Sequence, residues 1–475
     1  MMRWINITIT FICIIVLGIQ GPVSAQQRPN VLFIALDDMN DWITLLDDDA
    51  PIRTPNLERL ARRGTVFTRA YCASAACNPS RTSIMTGLRP STTGVYGNNT
   101  DWRGALPDVA TIPQHFMQNG YQAMGAGKIF HHHGGGAYHD RKSFNDFQMM
   151  PDPPDAPMPQ QKRNGFAWYG SANTDWGVWP PDPNEHVDIK TANYVIDQLQ
   201  QNHNKPFFLA AGIFRPHMPF FIPPGYDDEY PEHTVRMPVL LPNDVDDLAP
   251  GHRLLPNYKD YLWTGMMQAE RERPGAWREA VRYYQASSTF ADAQVGRILD
   301  ALDASPYKDN TVVVLWSDHG YHLGEKEHWE KFALWEKTNH VPFIVVAPDI
   351  VKPGSRCTRP VSLIDLYPTL IDLCGLPEKP ELDGVSLRPL LENRNAVWER
   401  PALMTYGYNN HAVRKDRWRY IRYADGSEEL YDLDRDLNEW HNVAGESRFR
   451  TIMDELQQWM PEENASAAPA MGKPE

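Results

Sequence analysis

Four short apolar runs in this chain each end in charged or polar residues, and that repeat constrains the fold more than any other feature. Residues 31–36 (VLFIAL) run into Asp37 and Asp38, and residues 121–124 run into Gly125, Gly127, Lys128 and His131. Residues 207–213 (FFLAAGI) run into Arg215 and His217, and residues 311–316 (TVVVLW) run into Asp318 and His319. Continuous β-rich apolar runs of this length suit strands covered on both faces, as in a large, mostly parallel sheet flanked by helices. In open α/β sheets a site lies beyond the carboxyl ends of the strands. The four polar tails are therefore expected to meet at one edge of the sheet.

The stretches between these runs read as helices. Residues 55–63 and 111–119 are each followed by a glycine, Gly64 and Gly120, as at a helix end. Residues 276–302 have helical apolar spacing and lead into the run at Thr311, as a crossover does. Residues 134–185 are rich in Gly, Pro, Asp and Trp without a sustained period and read as long loops. After Pro377 the pattern changes. Residues 402–405, 412–413, 417–423 and 429–433 read as short strands. A helix follows with Phe449, Ile452, Met453, Leu456 and Trp459 on one face. The division expected is a signal peptide over 1–25, a catalytic domain over 26–376, a C-terminal antiparallel-sheet subdomain over 377–460 and a disordered tail over 461–475.

The signal peptide follows from Met1, Met2 and Arg3, an apolar run from Trp4 to Ile19, and the small residues Val23, Ser24 and Ala25 before Gln26. A membrane anchor is the competing reading, but a run interrupted by Asn6 and Thr8 spans a bilayer poorly. The mature protein is expected to be exported, periplasmic or extracellular, with no membrane association after cleavage. With 46 Lys+Arg against 60 Asp+Glu and a net charge of −14, it is not expected to bind nucleic acid. A polyanionic substrate would need a locally basic pocket. Of five cysteines, Cys13 leaves with the signal peptide; four are too few for a disulfide scaffold, although Cys357 and Cys374 could pair.

The densest stretch is Cys77-Asn78-Pro79-Ser80-Arg81-Thr82-Ser83-Ile84-Met85-Thr86-Gly87. Pro79 suits the first helical position and Gly87 a helix end, which puts Cys77 at a helix N-terminus, where free N–H groups favour an anion. Read alone, Cys77 is equally a buried structural thiol. The pairs Asp37-Asp38 and Asp318-His319 supply hard donors suited to calcium or magnesium, or else helix caps.

Together these segments resemble the sulfatase family, whose signature is Cys-x-Pro-Ser-Arg followed by Thr-Gly. Residues 127–131, 216–220 and 317–325 look like the iduronate-2-sulfatase branch in order and spacing, and the match runs from about Arg28 to Leu376. The resemblance implies an alkaline-phosphatase-like α/β fold and conversion of Cys77 to formylglycine by a separate generating enzyme or radical maturase. One hydroxyl of the hydrated aldehyde would attack sulfur and the other would later expel sulfate, splitting one difficult step into two. It further implies that Asp37, Asp38, Asp318, His319 and the modified Cys77 hold one calcium ion, which polarises the sulfate. Many sulfatases have Asn at the position of His319; the iduronate-2-sulfatase branch shares the histidine.

By the same resemblance Arg81 and Lys128 orient the formylglycine and sulfate, and His131, which His132 and His133 follow, contacts the diol. His217 protonates the leaving oxygen and Lys331 binds sulfate oxygens. Tyr321 and Arg215 replace the Trp and Lys of that branch. Both are candidates for sugar contact, as is His411 with its neighbour Asn410, and Arg215 would suit a carboxylate. The expected substrate is a sulfated carbohydrate, such as a 2-O-sulfated uronic acid of an extracellular polysaccharide. A phosphodiesterase or phosphonate hydrolase, and a non-catalytic binder of sulfated glycans, are the alternatives.

Overall fold

A computed structural model describes residues 28–131, 138–151, 153–256, 258 and 260–472; the expected signal peptide lies outside them. The central sheet among these residues comprises β1 (Asn30–Asp37), β2 (Thr65–Phe67), β3 (Gln122–Gly127), β4 (Asp146–Gln148), β5 (Phe207–Pro216), β6 (Thr311–Ser317), β7 (Phe343–Val346) and β8 (Ser355–Cys357). Their spatial order is β8-β2-β7-β6-β1-β5-β3-β4. Strands β6, β1, β5, β3 and β4 are parallel neighbours, and β7 alone is reversed against β6 and β2. The mixed, mostly parallel α/β sheet expected from the apolar runs is thus what forms.

Alternation along β1 explains its unbroken apolar sequence. Leu32, Ile34 and Leu36 join the core that includes Phe290 and Ile298 of the helix Ala276–Ala304. Val31, Phe33 and Ala35 face the other layer, with Ile84 and Met85 of the helix Cys77–Thr86 and Phe116 of the helix Ile112–Gln118. Both faces are covered, so neither can be polar. The helix expected over 55–63 occupies Pro55–Ala61, and the crossover helix runs two residues past Leu302. The stretch 134–185, read as loops, contains the short strands Asp146–Gln148 and Trp176–Val178.

The C-terminal unit is an antiparallel meander of Ala402–Thr405, His411–Lys415, Trp418–Arg422 and Glu428–Asp432. One face (Leu403, Val413, Tyr420, Leu430) receives Met453 and Leu456 of the helix Arg450–Gln457. The opposite face (Met404, Ala412, Ile421, Tyr431) packs on Tyr71, Ala76 and Trp335 of the main body. Trp459, expected on the apolar stripe, is 39% exposed beneath Lys415 instead.

One expectation needs correction, and one pairing left open by the sequence is decided. The tail over 461–472 is not disordered: Ala465 N–H donates to Ser91 O at 2.8 Å, Ala468 N–H to Gly94 O at 2.8 Å, and Met471 N–H to Asn99 O at 2.7 Å. Its composition lacks apolar periodicity because it is held by backbone pairing, not by an apolar face. Residues 473–475 lie outside the described residues. Cys357 and Cys374 do not pair; Cys72, Cys77, Cys357 and Cys374 all carry no disulfide. Among the described residues no helix is long and apolar enough to cross a membrane.

Candidate active site

Sheet register brings the tails together. Leu36 lies opposite Ser317, Asp37 opposite Pro216, and Gly127 opposite Gly212. Because β6, β1, β5 and β3 are adjacent and parallel, Asp37-Asp38, His217, Lys128 and Asp318-His319 leave the sheet at one edge. Gly127 has a φ of 77°, and a Cβ there would lie 2.1 Å from Gly212 O, so glycine is required where the chain turns to place Lys128.

Cys77 is the first residue of its helix, with Pro79 two positions later and not at the start, and Gly87 closes the helix at φ 72°. The third and fourth residues after Cys77 turn back to the strand tips. Ser80 Oγ donates to Asp318 O at 2.6 Å. Arg81 Nε donates to Asp318 Oδ2 at 2.8 Å, Nη2 to Asp37 Oδ1 at 3.2 Å and Nη1 to Ile129 O at 3.2 Å. One fully buried guanidinium therefore ties together the ends of β1, β3 and β6, using the planar fork that suits carboxylates.

Cys77 is fully buried, yet its neighbours are ionic and not apolar. Its Sγ lies 3.3 Å from His319 Nε2, 3.3 Å from Lys331 Nζ and 3.7 Å from Lys128 Nζ. Burial would raise the thiol pKa, but Lys128, Lys331 and His319 outweigh it and hold the group well below its ordinary value. Lys331 Nζ also donates to Asp38 Oδ1 and Oδ2, at 2.9 and 3.1 Å, and Lys128 Nζ donates to Asp37 Oδ2. Burial opposes ionisation of Asp37, but Lys128 and His217 drive its carboxyl far below the usual range. His131 hydrogen-bonds Cys77, and burial pushes its pKa down to about 4, which leaves it neutral at pH 7. His132 and His133 lie outside the described residues. His217 is 20% exposed, with Nδ1 donating to Met218 O and Nε2 4.0 Å from Asp38 Oδ2. Its free nitrogen therefore faces the pocket from the open side.

A cation site is built into this arrangement. Ligand atoms of Asp37, Asp38, Cys77 and His319 are buried and within 4.8 Å of one another. Asp318 stands just outside that group: Oδ1 accepts from the N–H of Asp38 at 3.2 Å, and Oδ2 lies 3.7 Å from His319 Nε2. Burial would lower the His319 pKa, but Asp318, Cys77 and Asp38 raise it to about 9. Positive charge is thus favoured where the carboxylates converge, and carboxylate oxygens suit a hard divalent ion. The donor set fits such an ion.

Four candidates for sugar contact are held by internal contacts. Arg215 is fully buried, donating from Nε to Phe221 O at 2.6 Å and from Nη2 to Asp155. Tyr321 is fully buried among Phe220, Tyr284 and Trp329, and its hydroxyl has no hydrogen-bond partner among the described residues. His411 is buried at the start of a C-terminal strand, with Nδ1 2.9 Å from Thr405 Oγ1, and burial pushes its pKa down to about 4. Asn410 staples its own loop, Oδ1 accepting from Ala424 N–H at 2.9 Å. All four are internal struts.

Two contributors were missed. Asn78 Nδ2 donates to Gly97 O at 3.0 Å and Thr100 O at 2.9 Å, anchoring the residue after Cys77. Tyr284 OH donates to Asp38 O at 2.8 Å, supporting a residue held at φ 66°. Asn78 stands in the signature's variable position, and Tyr284 is one aromatic among many in a long helix, so neither carries a local signal.

Comparison with known proteins agrees with this geometry. The family model described as Sulfatase matches residues 29–376, and that described as N-sulphoglucosamine sulphohydrolase, C-terminal, matches residues 324–466. A "Sulfatase" of Formosa agariphila is 39% identical over 454 residues, covering 93% of this chain and 88% of the relative. Human iduronate 2-sulfatase is 30% identical over 423 residues, covering 79% and 74%. Among solved structures, one in complex with its substrate D-glucosamine-2-N,6-O-disulfate superposes with a TM-score of 0.73 at 22% identity, over 91% of this chain and 96% of that one. A phosphonate monoester hydrolase of Silicibacter pomeroyi superposes with a TM-score of 0.74 at 22% identity, over 91% and 94%. At that identity the two structures show the fold alone.

Proposed function

The chain belongs to the sulfatase family and is a sulfuric ester hydrolase, and on that premise we propose that it desulfates a sulfated carbohydrate through Cys77 converted to formylglycine. The substrate class proposed is a 2-O-sulfated uronic acid or similar sugar of an extracellular polysaccharide. The human relative named iduronate 2-sulfatase and the neighbour solved with a disulfated glucosamine support that class. The observation that carries the reading is the ring of Lys128, Lys331, His319 and His131 around the Cys77 side chain at a helix N-terminus.

Formylglycine in place of Cys77 supplies a geminal diol as the nucleophile. Asp37, Asp38, Asp318, His319 and the modified Cys77 would hold a calcium ion, which would supply Lewis-acid polarisation of the sulfate. The remaining work falls to side chains of this chain. Lys128 and Lys331 stabilise negative charge on the sulfate oxygens, with both ammonium groups buried. Protonated His217 donates from Nε2 to the bridging oxygen as the ester bond breaks, because its Nδ1–H is already committed to Met218 O. Neutral His131 serves as base for the second step: it takes the proton of the remaining hydroxyl as the C–O bond to sulfate breaks, so that sulfate leaves and the aldehyde re-forms. Arg81 holds Asp37 and Asp318 in place. Export, and maturation by a formylglycine-generating enzyme or radical maturase, complete the proposal.

The test has two arms. Mass spectrometry of the peptide containing Cys77 should show the formylglycine mass in active protein. Rates on aryl sulfate, aryl phosphate and phosphonate esters, followed by desulfation of heparin, chondroitin, ulvan and carrageenan oligosaccharides, should favour sulfate esters. Faster phosphonate cleavage would transfer the chain to the activity of its Silicibacter neighbour.

A further inference from the structure

The segment that carries Lys331 is unusual. Lys326, Glu327, Glu330 and Phe332 have φ values of 53°, 49°, 90° and 77°, so four non-glycine residues within one short stretch occupy the left-handed region. Such backbone persists only where its surroundings over-determine it, and it gathers at functional sites.

What holds the segment comes largely from the C-terminal unit. Lys326 is 2% exposed; its Nζ donates to Asp244 Oδ1 at 3.1 Å and to the carbonyl of Glu439, and lies 5.3 Å from the Tyr431 ring centroid and 5.7 Å from that of Trp335. At the other end, Glu336 N–H donates to Glu439 Oε2 at 2.7 Å, and its carboxylate accepts from Arg419 Nε at 2.9 Å. Between these anchors His328 Nε2 meets Lys331 O at 2.6 Å, and Phe332 N–H donates to Ala75 O at 3.1 Å, two residues before Cys77. A lysine has four rotatable methylenes, so its ammonium keeps one place only if its backbone is fixed.

We propose that Lys326 is a positioning residue: by plugging into the cage of Asp244, Tyr431, Trp335 and Glu439 it fixes the strained segment and thereby aims Lys331 at the sulfate. The C-terminal unit is then part of the sulfate-binding machinery although the contacts of Cys77 Sγ with His319, Lys128 and Lys331 all come from the main body. The inference rests on the reading of Lys331 as a sulfate-binding cation.

A double-mutant cycle on the matured full-length enzyme tests it, with Lys326→Met, Lys331→Met and the pair. The readouts are kcat and KM on an aryl sulfate, inhibition by inorganic sulfate, and the thermal midpoint. Misaiming a charged group by about an ångström is worth on the order of a hundredfold in rate. Lys326→Met should therefore lower kcat/KM by about ten- to a hundredfold and weaken sulfate inhibition in step, Lys326→Arg should recover most of the loss, and Lys326→Met should add nothing in the Lys331→Met background. If Lys326→Met does not fold, Asp244→Asn opens the same cage and should show the same non-additivity. Wild-type kinetics in folded Lys326→Met, or losses that multiply in the double variant, overturn the inference alone. Full activity in Lys331→Met overturns the reading of the site and this inference with it.

Discussion

The cluster around Cys77 and the cluster around Arg419 bury the same kinds of groups to different ends. Around Cys77, Asp37, Asp38 and Asp318 face Arg81, Lys128 and Lys331 across a pocket into which His217 is open. Around Arg419, Glu336 and Glu439 share one guanidinium, roofed by Tyr71 and flanked by Trp335 and Glu429. The first cluster leaves a thiol among its cations; the second closes on itself. Burial of charge therefore does not identify a catalytic centre. What sets the first cluster apart is the convergence of cations and acids on one reactive atom, at strand tips and a helix start.

That contrast breaks most readily at the cation. Stripping the enzyme with a chelator should cut turnover by on the order of a thousandfold or more, with recovery on adding calcium; undiminished activity of demonstrably metal-free protein would remove the metal from the account. Arg419→Met should act on stability first. It leaves Glu336 and Glu439 buried without their cation, and a loss of about 3–5 kcal/mol is expected in denaturant unfolding. A shift well under 1 kcal/mol would mean the second cluster is no strut.

The pH response sharpens the same point. Burial raises the Glu439 pKa from 4.5 to about 7, Arg419 opposing and Glu336 reinforcing, whereas Arg419 and Arg414 overcome burial to hold Glu336 at about 2. A folded-state pKa above the unfolded value gives stability that is complete below about 4.5 and lost as pH rises through 7. The Glu336 contribution has the opposite sign, present above 4.5 and lost as pH falls toward 2. Glu439→Gln should accordingly remove the decline in unfolding midpoint between pH 5 and 7.5. An unchanged decline would place its source elsewhere. The smallest effect expected is that of Tyr321→Phe, which deletes a buried hydroxyl lacking a partner. Stability should move by no more than about 0.5 kcal/mol, or rise, and KM should stay put; a raised KM would restore Tyr321 as a substrate contact.

The sheet and its edge were legible because the signal is local: an apolar run must be covered, and its polar tail must emerge where the strand ends. Asp37, Lys128, His217 and Asp318 follow from that rule without knowledge of any neighbour. Arg215 and Tyr321 sit on the same tails yet turn to internal partners, because position along a strand tip does not say where a side chain turns. Arg215 turns to Asp155, in a stretch with no period from which a partner could be read. Tyr321 turns into an aromatic core of Trp329, eight residues on, and of Phe220 and Tyr284 from two distant segments. The tail over 461–472 was missed for a related reason, since backbone pairing with residues 91–101 leaves no trace in side-chain pattern.

Replacing the atom on which everything converges is the sharpest test. Cys77→Ala, produced beside the wild type in a host that matures sulfatases, should retain the fold and lose about 10⁴-fold or more in kcat/KM on a sulfated substrate. Desulfation by a folded Cys77→Ala protein at the wild-type rate would contradict the account.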